Sequence, residues 1–407
     1  MAASSSASAA WTLLLAACTL LLAACGPAPS SPPTQVDLSP LPLAWPLDPH
    51  LSADQVRVGI DWDLSLLGAL PPADGAHLSL VEQDGWLVGE LDLAQAGFPA
   101  PSHAALTDAL AELRDSEELA LAGAVDPGRL LMLTLHEPWR YYAITGACGS
   151  VYGWRTARLV EKPDRYDVVT SLLAGGDRMV LLPPAGTPVA DLALAMGTDD
   201  IPFGEAWSPT EFEVVDLMDN GQQRFAAYDA HGDLVPHADP DVVPAGQPGR
   251  CQWCHEGNLM VGTPDNPSTD AAIPTAEWLS RMAAWQAELE AWRAGMATSV
   301  IFADRESHTQ GERVVRDFLL PTVARAAAEW DLTEEEARAL AQAEGLWLGA
   351  DEEWPDRGEV LLREEVEAVW EARDGVARVP VLEDAREPAE EEAYRGQEWA
   401  GWLPCEG

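Results

Sequence analysis

Positive charge is scarce in this sequence. Of the 407 residues, 24 are lysine or arginine and 67 are aspartate or glutamate, so the formal net charge at pH 7 is −43. Lys162 is the single lysine. A surface this anionic repels nucleic acid and anionic lipid headgroups, and it attracts cations and basic proteins. The composition therefore disfavours nucleic-acid binding, and it predicts that a protein partner presents a basic surface.

The apolar run near the N-terminus is too short to span a bilayer as a permanent helix. It reads WTLLLAACTLLLAA from Trp11 to Ala24, which is the length of a signal-peptide core. The run ends LAACG at Cys25-Gly26, and this ending resembles the lipobox of bacterial lipoproteins. The resemblance implies that residues 1–24 are a cleaved signal peptide and that Cys25 is lipidated. Such a protein is exported and anchored to a bacterial membrane, facing the periplasm.

Three alternatives to lipidation at Cys25 stay open. Cys18 follows a similar Leu15-Ala16-Ala17 and offers a competing site, and residues 1–10 lack lysine and arginine. An ordinary signal peptide cut near Ala24, or a buried apolar segment, would also explain the run. In such lipoproteins, an aspartate directly after the lipidated cysteine often retains the protein at the inner membrane. Gly26 occupies that position here, so the resemblance favours the outer membrane.

Composition and hydrophobic periodicity divide the mature chain into four stretches. Residues 26–49 contain eight prolines and favour an extended polyproline II tether, so we expect folded structure to begin near Leu51. The predicted fold class is α+β, with a β-rich N-terminal and central region followed by a mostly helical acidic C-terminal region. The predicted segments are a tether at 25–50, an α/β N-terminal region at 51–146, a β-rich region at 147–262 and a helical acidic region at 263–407.

Local patterns predict individual elements. Alternation around Asp84-Gly85 is typical of a hairpin, and Ser102 is expected to cap a helix. Asn220-Gly221 is expected to supply the two positive-φ residues of a type I′ hairpin turn.

Helical patterns dominate after Pro274. We expect helices over 310–330, interrupted by Pro321, over 333–343 with a Thr333/Glu336 capping box, and over 359–372. Residues 331–407 hold 23 acidic residues against 7 arginines, which is typical of a solvated acidic helix face. A helical spacing of three and four residues relates Trp278, Met282, Trp285, Leu289, Trp292 and Met296, which predicts one buried helix face.

One pentapeptide contains the predicted functional residues. Cys251-Gln252-Trp253-Cys254-His255 has the C-x-x-C-H spacing, in which two thiols reach the two vinyl groups of one porphyrin and the next residue reaches the iron. The sequence resembles the attachment motif of c-type cytochromes. The resemblance implies one covalent haem c, with thioether bonds at Cys251 and Cys254 and His255 as the proximal ligand of the haem iron.

Two other kinds of site share part of this motif. A thioredoxin-like redox dithiol would need a strand–helix context, which the preceding LVPHADPDVVPAGQPGR does not provide. Half of a zinc site would need a second pair of Cys or His ligands, and no such pair exists in the sequence. Covalent haem is therefore the favoured hypothesis.

The kind of haem protein stays open between three classes. The predicted sheet before the motif is similar to the β-rich, lysine-crosslinked cytochromes, but the likeness fails on the residues after the motif, and Lys162 is better explained as a surface residue. Because the sequence shows no other group of catalytic residues, we expect the protein to transfer electrons in the periplasm to or from a redox partner protein. The alternatives are a haem enzyme or gas sensor with an open distal position, and a structural or binding lipoprotein in which haem is secondary.

The sequence also offers candidates for the distal ligand of the haem iron and for a disulfide. Met296 is the preferred distal ligand, because it lies on the tryptophan-rich face 41 residues after His255. Met282, His308 and an open position are the alternatives, and core packing is the ordinary role of such methionines. Cys148 and Cys405 remain once the other cysteines are assigned, and they could pair in an oxidising compartment or stay separate thiols.

Overall fold

A computed structural model describes residues 37–46, 51–159, 162–168, 177–199, 208–238, 248–255, 259, 272–303, 305–319, 321–330 and 332–343. The predicted signal peptide, Cys18, Cys25, Cys405 and the helix predicted over 359–372 lie outside these residues. All elements belong to one compact unit that begins at Leu38.

The strands are β1 (Leu41–Pro46), β2 (Leu78–Gln83), β3 (Trp86–Leu91), β4 (Asp164–Val168), β5 (Asp177–Leu182), β6 (Ala193–Asp199), β7 (Glu211–Leu217), β8 (Gln223–Asp229) and β9 (Leu234–Val235). The helices are α1 (Ala53–Leu66), α2 (His103–Arg114), α3 (Glu117–Ala122), α4 (Pro127–Leu135), α5 (Pro138–Thr145), α6 (Val151–Arg158), α7 (Pro248–His255), α8 (Thr275–Ala294), α9 (Arg305–Leu319), α10 (Val323–Trp330) and α11 (Glu334–Ala343).

A three-stranded antiparallel sheet in the order β1-β3-β2 forms the N-terminal part. Its β2–β3 hairpin confirms the predicted one, since Gln83 pairs with Trp86 across Asp84 and Gly85. Both turn residues have positive φ, 49° and 83°, as a type I′ turn requires.

Strand β1 lies inside the stretch predicted to be a tether, so the expectation that structure begins near Leu51 is wrong. Leu41, Leu43 and Trp45 alternate with Pro42, Ala44 and Pro46, and this two-residue period places the three large side chains in the core, each at most 1% exposed. The prolines are compatible with a strand because β1 is an edge strand, where missing N–H donors are tolerated.

Helix α1 is the centre of the main core. It begins with a Ser52/Gln55 capping box and is buried over most of its second half. Helix α9 crosses it at two glycines, where an added Cβ on Gly59 would lie 2.7 Å from the Gln310 carbonyl carbon. The predicted Ser102 cap is wrong: its side chain does not cap α2, because the hydroxyl donates to the Ile144 carbonyl at 2.6 Å.

A six-stranded antiparallel meander, β4 to β9 in chain order, forms the second sheet. Alternation along β6 sends Ala193 and Ala195 into the main core and Leu194 into a second core on the opposite face. Helix α8 covers that second face with five residues of the predicted stripe: Trp278, Met282, Trp285, Leu289 and Trp292. The sixth, Met296, lies beyond the end of the helix at Ala294, so the prediction that it shares this helix face is wrong. Trp278 stacks on Tyr166 with ring centroids 4.6 Å apart. Strands in the N-terminal and central regions and helices in the C-terminal region confirm the α+β class, although helices also fill much of the N-terminal region.

The β7–β8 hairpin is confirmed, but its turn is not the type I′ turn that Asn220-Gly221 predicted. Gly221 has φ 76°, whereas Asn220 does not have positive φ. The Gly221 N–H bonds to the Met218 carbonyl, so the loop is a three-residue type. The Asn220 amide is used elsewhere: it donates to the carbonyls of Ser65 and Ala69 at the end of α1, both at 2.7 Å.

The C-terminal helices follow the predicted breaks. Helix α9 ends before Pro321 and α10 begins after it. Thr333 and Glu336 form the predicted capping box of α11, with both reciprocal bonds present. The Arg325 guanidinium fixes α10 to β1, because it bonds to Asp126 and lies 4.3 Å from the Trp45 ring centroid.

Candidate functional site

The C-x-x-C-H pentapeptide forms the last five residues of helix α7. Pro248 begins the helix, a position where proline's fixed φ and missing N–H cost nothing. Positions 251, 254 and 255 are related by three and four residues, so they lie on one face of the turn. The chain folds locally in the way that brings the three predicted site residues together.

Two of these residues have described side chains, and both are half-buried. Cys251 is a thiol rather than half of a disulfide, and part of its surface faces solvent. The His255 ring, also half-buried, packs on the Phe225 ring of β8, with centroids 5.0 Å apart and planes tilted by 54°. A thiol and an imidazole on one helix face are therefore both partly accessible.

Gln252, inside the motif, faces the protein. Its side chain is 1% exposed. The Nε2 atom donates to the Gln223 carbonyl at 2.9 Å and to the Tyr141 hydroxyl at 3.3 Å. These bonds attach α7 to strand β8 and to helix α5, so Gln252 anchors the motif to the rest of the fold.

Three buried phenols form the wall behind α7. Tyr141 accepts from the Phe225 N–H at 3.1 Å, and Tyr142 donates to the Val235 carbonyl at 2.9 Å. Tyr228 donates to the Cys148 carbonyl at 2.9 Å. Burial raises the pKa of each phenol well above its usual value, and for Tyr141 and Tyr142 the neighbouring Cys251 adds to the rise. These hydroxyls therefore stay protonated and uncharged over the physiological pH range.

A buried ion pair supports the same wall. Arg224 of β8 bonds to Asp216 of β7 through Nε at 2.8 Å and Nη2 at 2.6 Å. Its Nη1 also donates to the Thr145 and Gly146 carbonyls at the end of α5. Such bidentate pairs fix geometry as well as charge, so α5 and β8 are held together beneath the motif helix.

Cys148 lies close to this wall. It is 3% exposed and disulfide-bonded, with a partner outside the described side chains. The pairing of Cys148 with Cys405 stays a prediction, since Cys405 is not among the described residues.

The distal-ligand candidates lie in packed surroundings. A Cβ added to Gly221 would lie 3.3 Å from the Met296 methyl, so Met296 contacts the β7–β8 turn. Met282 is 1% exposed in the second core, and the His308 ring lies 6.1 Å from Trp62 of α1. The structure does not bring these three together at the motif, and Met296 as distal ligand stays a prediction. Lys162 is exposed, in agreement with a surface role.

Sequence reasoning missed Gln252, Tyr141 and Phe225. Gln252 occupies a variable position of the motif, and the other two are more than twenty residues away from it. Their contacts with the motif helix depend on the packing of α5 and β8 beneath α7. No local sequence pattern predicts that packing.

Neither a cluster of metal-ligating side chains nor a membrane helix is found in the described part of the chain. Within it, no group of three or more His, Cys, Asp and Glu side chains could hold a metal ion, and no helix is long and apolar enough to cross a bilayer. Comparison with protein-family models, with curated proteins and with solved structures finds no match to this chain.

Proposed function

We propose that this chain is a membrane-anchored periplasmic c-type cytochrome that binds one covalent haem c and transfers electrons to or from a partner protein with a basic surface. One observation carries the proposal. The C-x-x-C-H sequence lies on a single helical turn, and its described thiol and imidazole are half-buried on one face. A fully buried motif could not accept a porphyrin without unfolding, whereas the side chains of Cys251 and His255 are both partly exposed.

The residues present fit such a group. Cys251 and Cys254 would hold it through thioether bonds, and His255 would supply the proximal nitrogen to the iron. When bound, the haem iron supplies reversible one-electron chemistry.

The remaining residues set the surroundings of the ligand. Phe225 packs on the imidazole of His255 and limits its rotation. The tyrosine wall presents neutral hydroxyls, because burial keeps them protonated. The polar and charged groups around a metal ligand influence the potential of the metal. Phe225, the tyrosine hydroxyls and the buried Arg224–Asp216 pair would therefore influence the potential of a haem held by His255.

The direct test is haem staining after denaturing electrophoresis, because thioether bonds survive unfolding. Protein from a strain competent for haem attachment is expected to stain, and Cys251→Ala with Cys254→Ala is expected to lose the stain. A wild-type chain from that strain without covalent haem would end the proposal.

An open distal position is the second candidate, with an enzyme or gas sensor as the function. It is favoured by the packing of Met282, Met296 and His308, each of which already fills a site in the fold. Met296 contacts Gly221 of the β7–β8 turn, whereas His255 contacts Phe225 inside β8. Immediate carbon monoxide binding by the reduced protein, unchanged in Met296→Ala, would favour this candidate. A low-spin spectrum that Met296→Ala converts to high spin would favour the carrier with Met296 as distal ligand.

A further inference from the structure

We propose that Gln252 and Tyr141 are positioning residues that fix the turn of α7 bearing Cys251 and His255. The inference rests on the proposed function, because it concerns how the same motif is held. Neither residue is a predicted haem ligand, so we expect their effect to pass through α7 and β8.

Helix α7 needs such an anchor. It has eight residues, and an isolated helix shorter than about 12 residues is marginal in water. Its orientation must therefore come from tertiary contacts. Gln252 is almost fully buried, and its amide nitrogen bonds to the Gln223 carbonyl at 2.9 Å. Because a carbonyl can only accept, the amide must present its nitrogen to that side.

Tyr141 connects this anchor to the histidine. Its hydroxyl lies 3.3 Å from Gln252 Nε2 and accepts the Phe225 N–H at 3.1 Å. The Phe225 ring in turn packs on His255. Gln223 and Phe225 are two residues apart on β8, so they lie on one face of the strand. Tyr141, Gln252 and these two strand residues therefore form a closed set of contacts that fixes both the start and the end of the motif.

Tyr142 provides a matched control. It lies on the same helix α5, is equally buried, and bonds to the Ala227 N–H and the Val235 carbonyl. None of these described bonds reaches α7. Tyr142→Phe thus removes a comparable hydroxyl from the same wall without removing a bond to the motif helix.

The experiment compares Gln252→Leu, Tyr141→Phe and Tyr142→Phe in the full chain. Backbone hydrogen exchange over residues 251–255 is measured by mass spectrometry, together with thermal unfolding. Since a lost hydrogen bond of this kind changes a local opening equilibrium by about tenfold, Gln252→Leu and Tyr141→Phe should raise exchange by about that factor. Tyr142→Phe should lower thermal stability similarly and leave this exchange unchanged. The Tyr141→Phe/Gln252→Leu double variant should raise exchange by less than the product of the single effects, because the residues share a bond.

The reduction potential of the haem-loaded chain is the second readout, since it responds to ligand placement. It should move further in Gln252→Leu and Tyr141→Phe than in Tyr142→Phe, which has Cys251 as a neighbour but no described bond to α7. Unchanged exchange in the first two variants, an equal rise in Tyr142→Phe, or altered exchange with a constant potential would each overturn the inference. If no haem is attached at all, the proposed function fails, while the exchange measurement still decides whether these residues anchor the motif.

Discussion

At the scale of single residues, the buried carboxyl of Asp63 is the most consequential group outside the site. It lies on α1 with 3% exposure, and its Oδ2 has no hydrogen-bond partner in the described part of the chain. Burial raises the pKa of this carboxyl well above its usual value, and the nearby Glu312 charge adds to the rise. The folded state therefore binds the proton more tightly than the unfolded state does.

The sign of the pH dependence follows from this raised pKa. Asp63 contributes most to stability below the unfolded pKa of about 4, and the contribution is lost as pH rises towards the folded pKa. The slope is at most about 1.4 kcal/mol per pH unit. Asp63→Asn cannot ionise, so its free energy of unfolding should fall less than that of the wild type between pH 4 and 7. Urea unfolding at several pH values measures this difference. An Asp63→Asn slope equal to that of the wild type would contradict the assignment.

At the scale of elements, the crossing of α1 and α9 depends on two glycines. A Cβ on Gly59 would lie 2.7 Å from backbone atoms of Gln310, and one on Gly311 would lie 2.3 Å from Asp63 Oδ1. Backbone cannot move aside as a flexible side chain can, so Gly59→Ala should destabilise the protein by about 1–3 kcal/mol. Chemical denaturation measures the loss. Gly295→Ala is the control, since its nearest neighbour would be 3.4 Å away; a Gly59→Ala chain as stable as that control would show that the helices can separate freely.

Elements with a strong period could be predicted from the sequence, and those set by distant contacts could not. The tryptophan-rich helix, the Asp84-Gly85 hairpin and the Thr333 capping box depend on neighbours within a few residues. Strand β1 was missed because its prolines resemble a tether, although its Leu and Trp positions already alternate. The Asn220 turn differs from the prediction because the Asn220 amide bonds to α1, 151 and 155 residues away along the chain.

The candidate site shows the same division. The spacing of Cys251, Cys254 and His255 predicts a common chemical role, and the helical turn places them on one face. The wall that holds this turn, with Tyr141 and Phe225, comes from two other elements. The residues of this wall could not be predicted from the pentapeptide, because the packing of α5 against β8 brings together residues more than eighty positions apart in the sequence.

At the scale of the whole molecule, the proposed lipid anchor would determine where the protein works. We expect a lipid at Cys25, which lies outside the described residues, so cells fed a labelled fatty acid should label the protein. Several acyl chains give stable membrane association where one chain does not. Cys25→Ala should abolish both the label and the association, whereas Cys18→Ala should leave both intact. Label that persists in Cys25→Ala and disappears in Cys18→Ala would move the anchor to Cys18.

The central claim is that Cys251 and Cys254 carry haem, and peptide mass spectrometry tests it most directly. Trypsin cuts after Arg250 and next after Arg281, so one peptide begins at the motif and contains both thiols and His255. From cells competent for haem attachment, this peptide should carry the mass of one haem under denaturing conditions and absorb visible light. A peptide of unmodified mass, with both thiols open to alkylation, would contradict the account.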